Sequence, residues 1–115
     1  MGSLGQFWTV TINSVGALSE SKDYYFTAPF DMTLFHVSMC NLTNGTTSVQ
    51  LKNTTDSTNL TDDDTVGEGS TPTEINLDDM TDDQYPHIDK GDVVHFDIDD
   101  TDGDDVLIVA TFLVG

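Results

Sequence analysis

The stretch His87–Gly115, HIDKGDVVHFDIDDTDGDDVLIVATFLVG, decides the fold. Val94, Phe96 and Ile98 alternate with His95 and Asp97, the two-residue period of a half-buried strand. After an acidic segment over Asp99–Asp105, a second row of Val106, Ile108, Ala110, Phe112 and Val114 alternates with Leu107, Val109, Thr111 and Leu113. The pair reads as two antiparallel strands joined by an acidic turn, with the chain ending inside the second. That second strand is apolar on both faces, whereas a strand with one face in water should alternate apolar with polar residues. Either it is a central strand covered by a loop or by the N-terminal segment, or its outer face meets another subunit. The second reading assigns an oligomer interface to Leu107, Val109 and Leu113, with Phe7 and Trp8 beside them.

Upstream segments repeat the same grammar. Phe7–Ile12 places Trp8, Val10 and Ile12 on one face, and Asp23–Ala28 forms a strand closed by Pro29. Asp31–Leu42 is the longest alternating segment, with Phe35, Val37 and Met39 on one face and His36, Ser38 and Cys40 on the other. Asn44-Gly45 then signals a hairpin, because both residues tolerate positive φ, and Thr47–Asn53 returns with Val49 and Leu51 inward. Thr54–Thr73 reads as a long polar loop with one short edge strand near Leu60. A strand over Thr73–Met80 would half-bury Ile75 and Leu77. No segment carries helical periodicity. About eight short strands separated by turns predict an all-β fold: one antiparallel β-sandwich domain of jelly-roll type spanning residues 1–115.

Composition excludes whole classes of function. The formal net charge is −18, with Asp+Glu 21 against Lys+Arg 3. Such a surface repels phosphate backbones and anionic membranes, so neither nucleic acid nor membrane is an expected partner. Self-repulsion lowers stability at low salt and screening restores it, the balance expected of a protein from a halophilic or marine source. The single cysteine, Cys40, allows no intrachain disulfide and reads as a small core residue. The N-terminal MGSLGQFW has neither the basic nor the apolar region of a secretory leader, and the longest apolar run, Val106–Val114, is too short for a membrane helix.

Chemistry is sparse. His36, His87 and His95 are the candidate general bases, and no nucleophile elbow, phosphate loop, HExxH or paired-cysteine motif accompanies them. No catalytic residue, cofactor or metal site is assigned, and an enzyme is not expected. The aspartates between Asp97 and Asp105 invite a calcium reading, but they miss the EF-hand spacing and read as a solvated turn. N-x-T sequons at Asn41, Asn44, Asn53 and Asn59 are ascribed to composition.

Phe26-Thr27-Ala28-Pro29-Phe30-Asp31 leading into a long alternating strand, the Asn44-Gly45 turn, the Val49–Asn53 return, the Thr-rich middle and Ile88–Val94 before an apolar last strand form a recurring pattern. It resembles small jelly-roll virion proteins of tailed phages and related archaeal viruses, which serve as capsid decoration or cement proteins, head fibres and tail-tip modules. The resemblance implies a structural role on the capsid surface of a virion, as a homotrimer bound to a major capsid protein. It implies as an alternative a carbohydrate-binding receptor-recognition module, in which Tyr24, Tyr25 and Tyr85 would stack on sugar rings. A further possibility, resting on charge alone, is an acidic nucleic-acid mimic that occupies a basic partner.

Overall fold

In a computed structural model the chain folds into two antiparallel sheets, described over residues 6–17, 22–41, 47–66, 72–99 and 104–115. The strands are β1 (Phe7–Ala17), β2 (Lys22–Thr27), β3 (Met32–Asn41), β4 (Thr47–Asn53), β5 (Thr58–Asn59), β6 (Asp64–Val66), β7 (Thr73–Ile75), β8 (His87–Ile88), β9 (Val93–Asp99) and β10 (Asp104–Val114). The first sheet has the order β1-β10-β3-β7, with β8 also on β3, and the second has β2-β9-β4-β5, with β6 also on β4. Each long strand therefore pairs with strands distant in sequence, and the chain changes sheet from β1 through β4. This is the sheet-to-sheet weaving of a jelly roll. β5 lies beside Leu60, where a short edge strand is expected, whereas β6 and β8 escape sequence reading because two or three residues carry no measurable period.

The final pair of strands is not a hairpin. β9 lies between β2 and β4, whereas β10 lies in the other sheet between β1 and β3. The acidic segment is thus a crossing between layers, of which residues 100–103 lie outside the described ones. The Asn44-Gly45 hairpin fails likewise, because β3 and β4 belong to different sheets, and both residues are outside the described set. Turn chemistry specifies a reversal of direction, and a reversal suits a layer change as well as a hairpin. The partner is selected by which face each strand must bury.

Inward rows fill the space between the sheets. Val106, Ile108, Ala110 and Phe112 from β10 are fully buried, as are Val94, Phe96 and Ile98 from β9. Trp8 belongs to this interior, not to the outer surface expected for it. It pairs with Phe112 across β1 and β10, and its ring meets Phe26, Phe30 and Phe112 at centroid distances of 5.6, 5.3 and 5.9 Å. Phe26 continues to Phe96 at 6.0 Å, so one aromatic chain ties the sheets together. Each such contact adds roughly 0.5–1.5 kcal/mol to the effect of burial.

Two local irregularities change which side chains are inside. In β3 the register slips opposite Thr111 and Phe112, so that Leu34 and Val37 both point inward while Phe35 is expelled. That bulge reverses the expected placing of Phe35, which is 42% exposed. After β7 the chain enters a 3-10 turn at Leu77–Asp79, which rotates Leu77 outward and brings Met80 into the core.

Buried asparagines are paired. Asn41 donates to the Val66 carbonyl at 2.9 Å and accepts from Thr47 Oγ1 at 3.2 Å, stitching the two sheets at their crossing. Asn53 donates to Asp92 Oδ2 at 3.0 Å, and the same oxygen accepts the Asp89 N–H at 3.1 Å. Asn41 and Asn53 are both buried, which closes those two sequons to a glycan.

Asp92 closes the Lys90-Gly91-Asp92 turn. The turn is locked to the end of β2 by Gly91 N–H to Ala28 O and Ala28 N–H to Asp92 O, at 2.9 and 2.8 Å. Gly91 adopts φ +94°, and a Cβ there would meet nothing within 4 Å, so the demand for glycine is purely one of backbone conformation. Gly91→Val should lower unfolding free energy by about 1–3 kcal/mol in urea titrations, and Gly91→Asn by less. Equal losses for the two would show that this turn carries no conformational strain.

Candidate functional site

Alternation that fills the core also composes two outward faces, and they differ in chemistry. On the first sheet the outward rows run from β1 across β10 to β3: Asn13, Leu107 and Cys40; Thr11, Val109 and Ser38; Thr9, Thr111 and His36; Phe7, Leu113 and Thr33. No aspartate, glutamate or lysine stands in these rows. Glu74 on β7 borders them, 3.1 Å from His36. Leu107, Val109 and Leu113 are half-buried beneath their neighbours and Phe7 is 57% exposed. The structure therefore gathers four of the five predicted interface residues on one face and removes Trp8 from it. Cys40 is buried beside Leu107 in the same layer.

One end of this face is aromatic. Phe7 lies 5.5 Å from Phe35, and Phe35 stacks on Tyr85 at 5.4 Å with ring planes 27° apart. Tyr85 is 43% exposed and lines an open groove of about 470 Å³ between Thr58–Leu60 and Thr81–His87. Phe35 and Tyr85 are the members that sequence reasoning missed. The signal was the spacing of Leu34 and Val37, two inward apolar residues three apart, which requires an extra residue between them. The three tyrosines proposed for sugar stacking do not share a surface. Tyr24 packs against the core, Tyr25 projects from the second sheet, and Tyr85 joins the first.

The outward face of the second sheet is charged. Asp23 on β2 stands directly opposite Asp97 on β9, and Tyr25 opposite His95. His95 lies against Tyr25 at 4.4 Å with ring planes 16° apart, and its Nε2 is 2.7 Å from Asp23 Oδ1. Lys52 donates to Asp97 Oδ2 at 2.9 Å. That hydrogen bond raises the lysine pKa, against the burial that lowers it. The remaining histidine, His87, sits 3.2 Å from Asp89 and 3.5 Å from the Thr33 hydroxyl. The order hydroxyl, imidazole, carboxylate resembles a triad, yet the Asp89 side chain is 71% exposed, where an orienting carboxylate is held buried.

Asp64, at the start of β6, has an Oδ2 with no hydrogen-bond partner among the described residues. Burial, followed by repulsion from Asp79, Asp62 and Asp63, pushes its pKa up to about 6.

No protein-family model and no curated protein matches the chain. Among solved structures it is similar to one described as the crystal structure of the Drosophila NLP-core, providing insight into pentamer formation and histone binding. The identity is 16%, over 95% of this chain and 98% of that one, with a TM-score of 0.49. The partners expected from the sequence are corrected by this finding. That description speaks of pentamer formation and histone binding, not of a homotrimer or a major capsid protein, and neither of these is carried forward.

Asp64 makes a testable pH dependence. Its folded pKa lies above the ordinary 3.8, so the stability it contributes is full below that value and is lost as pH climbs through about 6. Asp64→Asn should raise the melting temperature at pH 7.5 and leave it nearly unchanged at pH 4. An equal shift at both pH values would show that the carboxylate charge is not the cause.

Proposed function

We propose that the chain is a non-catalytic structural module that assembles with copies of itself through the outward face of the β1-β10-β3 sheet. One observation carries this reading. In a chain of net charge −18, the rows from Phe7–Asn13, Leu107–Leu113 and Thr33–Cys40 hold no carboxylate and no lysine. Burying a carboxylate without a partner costs several kcal/mol, so a surface free of them is the one that a second copy can cover without that penalty. Exposed Phe7, Phe35 and Tyr85 supply aromatic anchors of the kind that dominate interface energetics. The setting proposed for the assembly is the virion surface, and this rests on the sequence resemblance alone.

Assembly of like-charged subunits should tighten as salt rises, because screening removes repulsion between the acidic remainders of the two surfaces. Sedimentation of the wild-type chain should give a mass that is a multiple of 12.5 kDa in molar salt and falls toward one subunit in dilute buffer. Leu107→Asp with Leu113→Asp should remain folded, keep its far-ultraviolet spectrum and stay a single subunit throughout. A wild-type chain that is monomeric at every salt concentration would sink this reading, as would a double variant that assembles normally.

The net charge of −18 also favours a second reading, capture of a basic polypeptide by the acidic surface. The two readings differ in sign. Binding of a polylysine probe should weaken steeply with added salt, and loss of the interface leucines should leave it unchanged. Absence of any polylysine binding in dilute buffer would end the second reading.

A further inference from the structure

We infer that Asp23, His95 and Asp97 form a binding site for a divalent transition-metal ion of the zinc class. The site lies on the opposite sheet from the proposed assembly face and does not depend on that reading. One ligand atom from each residue lies within 4.8 Å of the others, close enough for small side-chain movements to bring all three onto a single ion.

The strands hold these atoms together. His95 and Asp97 are two apart on β9 and therefore project from the same face, and Asp23 is the cross-strand partner of Asp97. β9 is central, hydrogen-bonded to β2 on one side and to β4 on the other, which fixes His95 and Asp97, and Asp23 is held to it in register from the edge strand β2. The imidazole is fixed as well. Its side chain is 11% exposed and stacked on Tyr25, with Nε2 turned to Asp23. An ordered nitrogen donor beside carboxylates distinguishes this cluster from the many solvated aspartates of the chain. It also sets the metal class, since imidazole suits zinc and its neighbours, and oxygen-only sites suit calcium and magnesium.

Two aspartates directly opposite on paired strands repel one another, and the fold retains them at that cost. Lys52 compensates in part by taking Asp97 Oδ2 from the β4 side, where it also anchors the carboxylate as an outer partner would. The Asp97 and Asp23 side chains are 27% and 48% exposed, so an ion arriving from solvent can reach both. His95 also ends an open groove of about 400 Å³ lined by Asn53, Thr54, Ser57 and Asn59, which leaves room for water or a small anion as a fourth ligand. An ion at this position would replace the proton that Nε2 donates to Asp23, leaving the imidazole proton on Nδ1.

A second cluster, Asp31, His87 and Asp89, meets the same distance criterion and provides an internal comparison. All three of its residues are exposed, and Asp31 Oδ1 is already taken by the Lys90 N–H. It is not preorganised, and we do not assign it an ion.

The test uses the full chain stripped with chelator and titrated with zinc chloride, and separately with calcium chloride at fixed ionic strength. Calorimetry reads the stoichiometry, and histidine side-chain 15N NMR reads the location. Zinc should bind at one site, shift the His95 ring signals before those of His36 and His87, and persist in excess calcium. His95→Gln and Asp23→Asn should each weaken zinc by about tenfold or more, and His87→Gln should leave it unaltered. Zinc that fails to bind, that perturbs His87 first, or that binds His95→Gln as tightly as wild type would overturn the assignment. The NMR readout on the unmodified chain decides even where a variant folds poorly.

Discussion

The inward row of β10 is the constraint on which the fold depends. Val106, Ile108, Ala110 and Phe112 are wholly buried, and the strand that carries them is bounded on both sides, by β1 and by β3. A shift of one residue would turn this row to the exterior and bring Leu107, Val109, Thr111 and Leu113 inside. Both rows of β10 are apolar, so its own alternation discriminates weakly between the two registers. The neighbours settle it. Thr9, Thr11 and Asn13 on β1, and Ser38 and His36 on β3, are polar on one side only, and Trp8 must meet Phe26 and Phe112 across the interior.

Charge is segregated by the same alternation. With Asp+Glu 21 against Lys+Arg 3, a random distribution would place carboxylates on every surface. Instead the outward rows Phe7–Asn13, Leu107–Leu113 and Thr33–Cys40 carry none, and Asp23, Asp97 and Asp99 occupy the opposing sheet with Lys52. An uncharged layer in contact with water has no solubility benefit for such a chain, whereas a layer buried between subunits must be uncharged to avoid desolvating ions. The charged sheet can tolerate dense carboxylates because it keeps hydrogen-bond donors close, Lys52 at Asp97 and His95 at Asp23.

Much of this was legible in the sequence, and the reason is that alternation is a local property. The strands around Val49 and Phe96 declare themselves by period two, and the inward choice at each follows from apolarity alone. The surplus apolar row of β10 is legible too, and its central position in the sheet is one of the two explanations that the sequence allows. Sequence by itself determined the all-β class, the inward rows of β4 and β9 and the excess of acid.

Only the tertiary structure decided which strands are partners. Turn residues at Asn44-Gly45 and within Asp99–Asp105 suggest hairpins, yet the strands on either side, β3 and β4, β9 and β10, lie in different sheets. Pairing is set by burial between residues far apart in sequence, which no local pattern encodes. The bulge at Phe35 and the inward turn of Trp8 have the same origin, since each depends on what lies across the interface. The meeting of Asp23 with His95 and Asp97 is the clearest case. The residues are ordinary in sequence and far apart, and the pairing of β2 with β9 makes them a site.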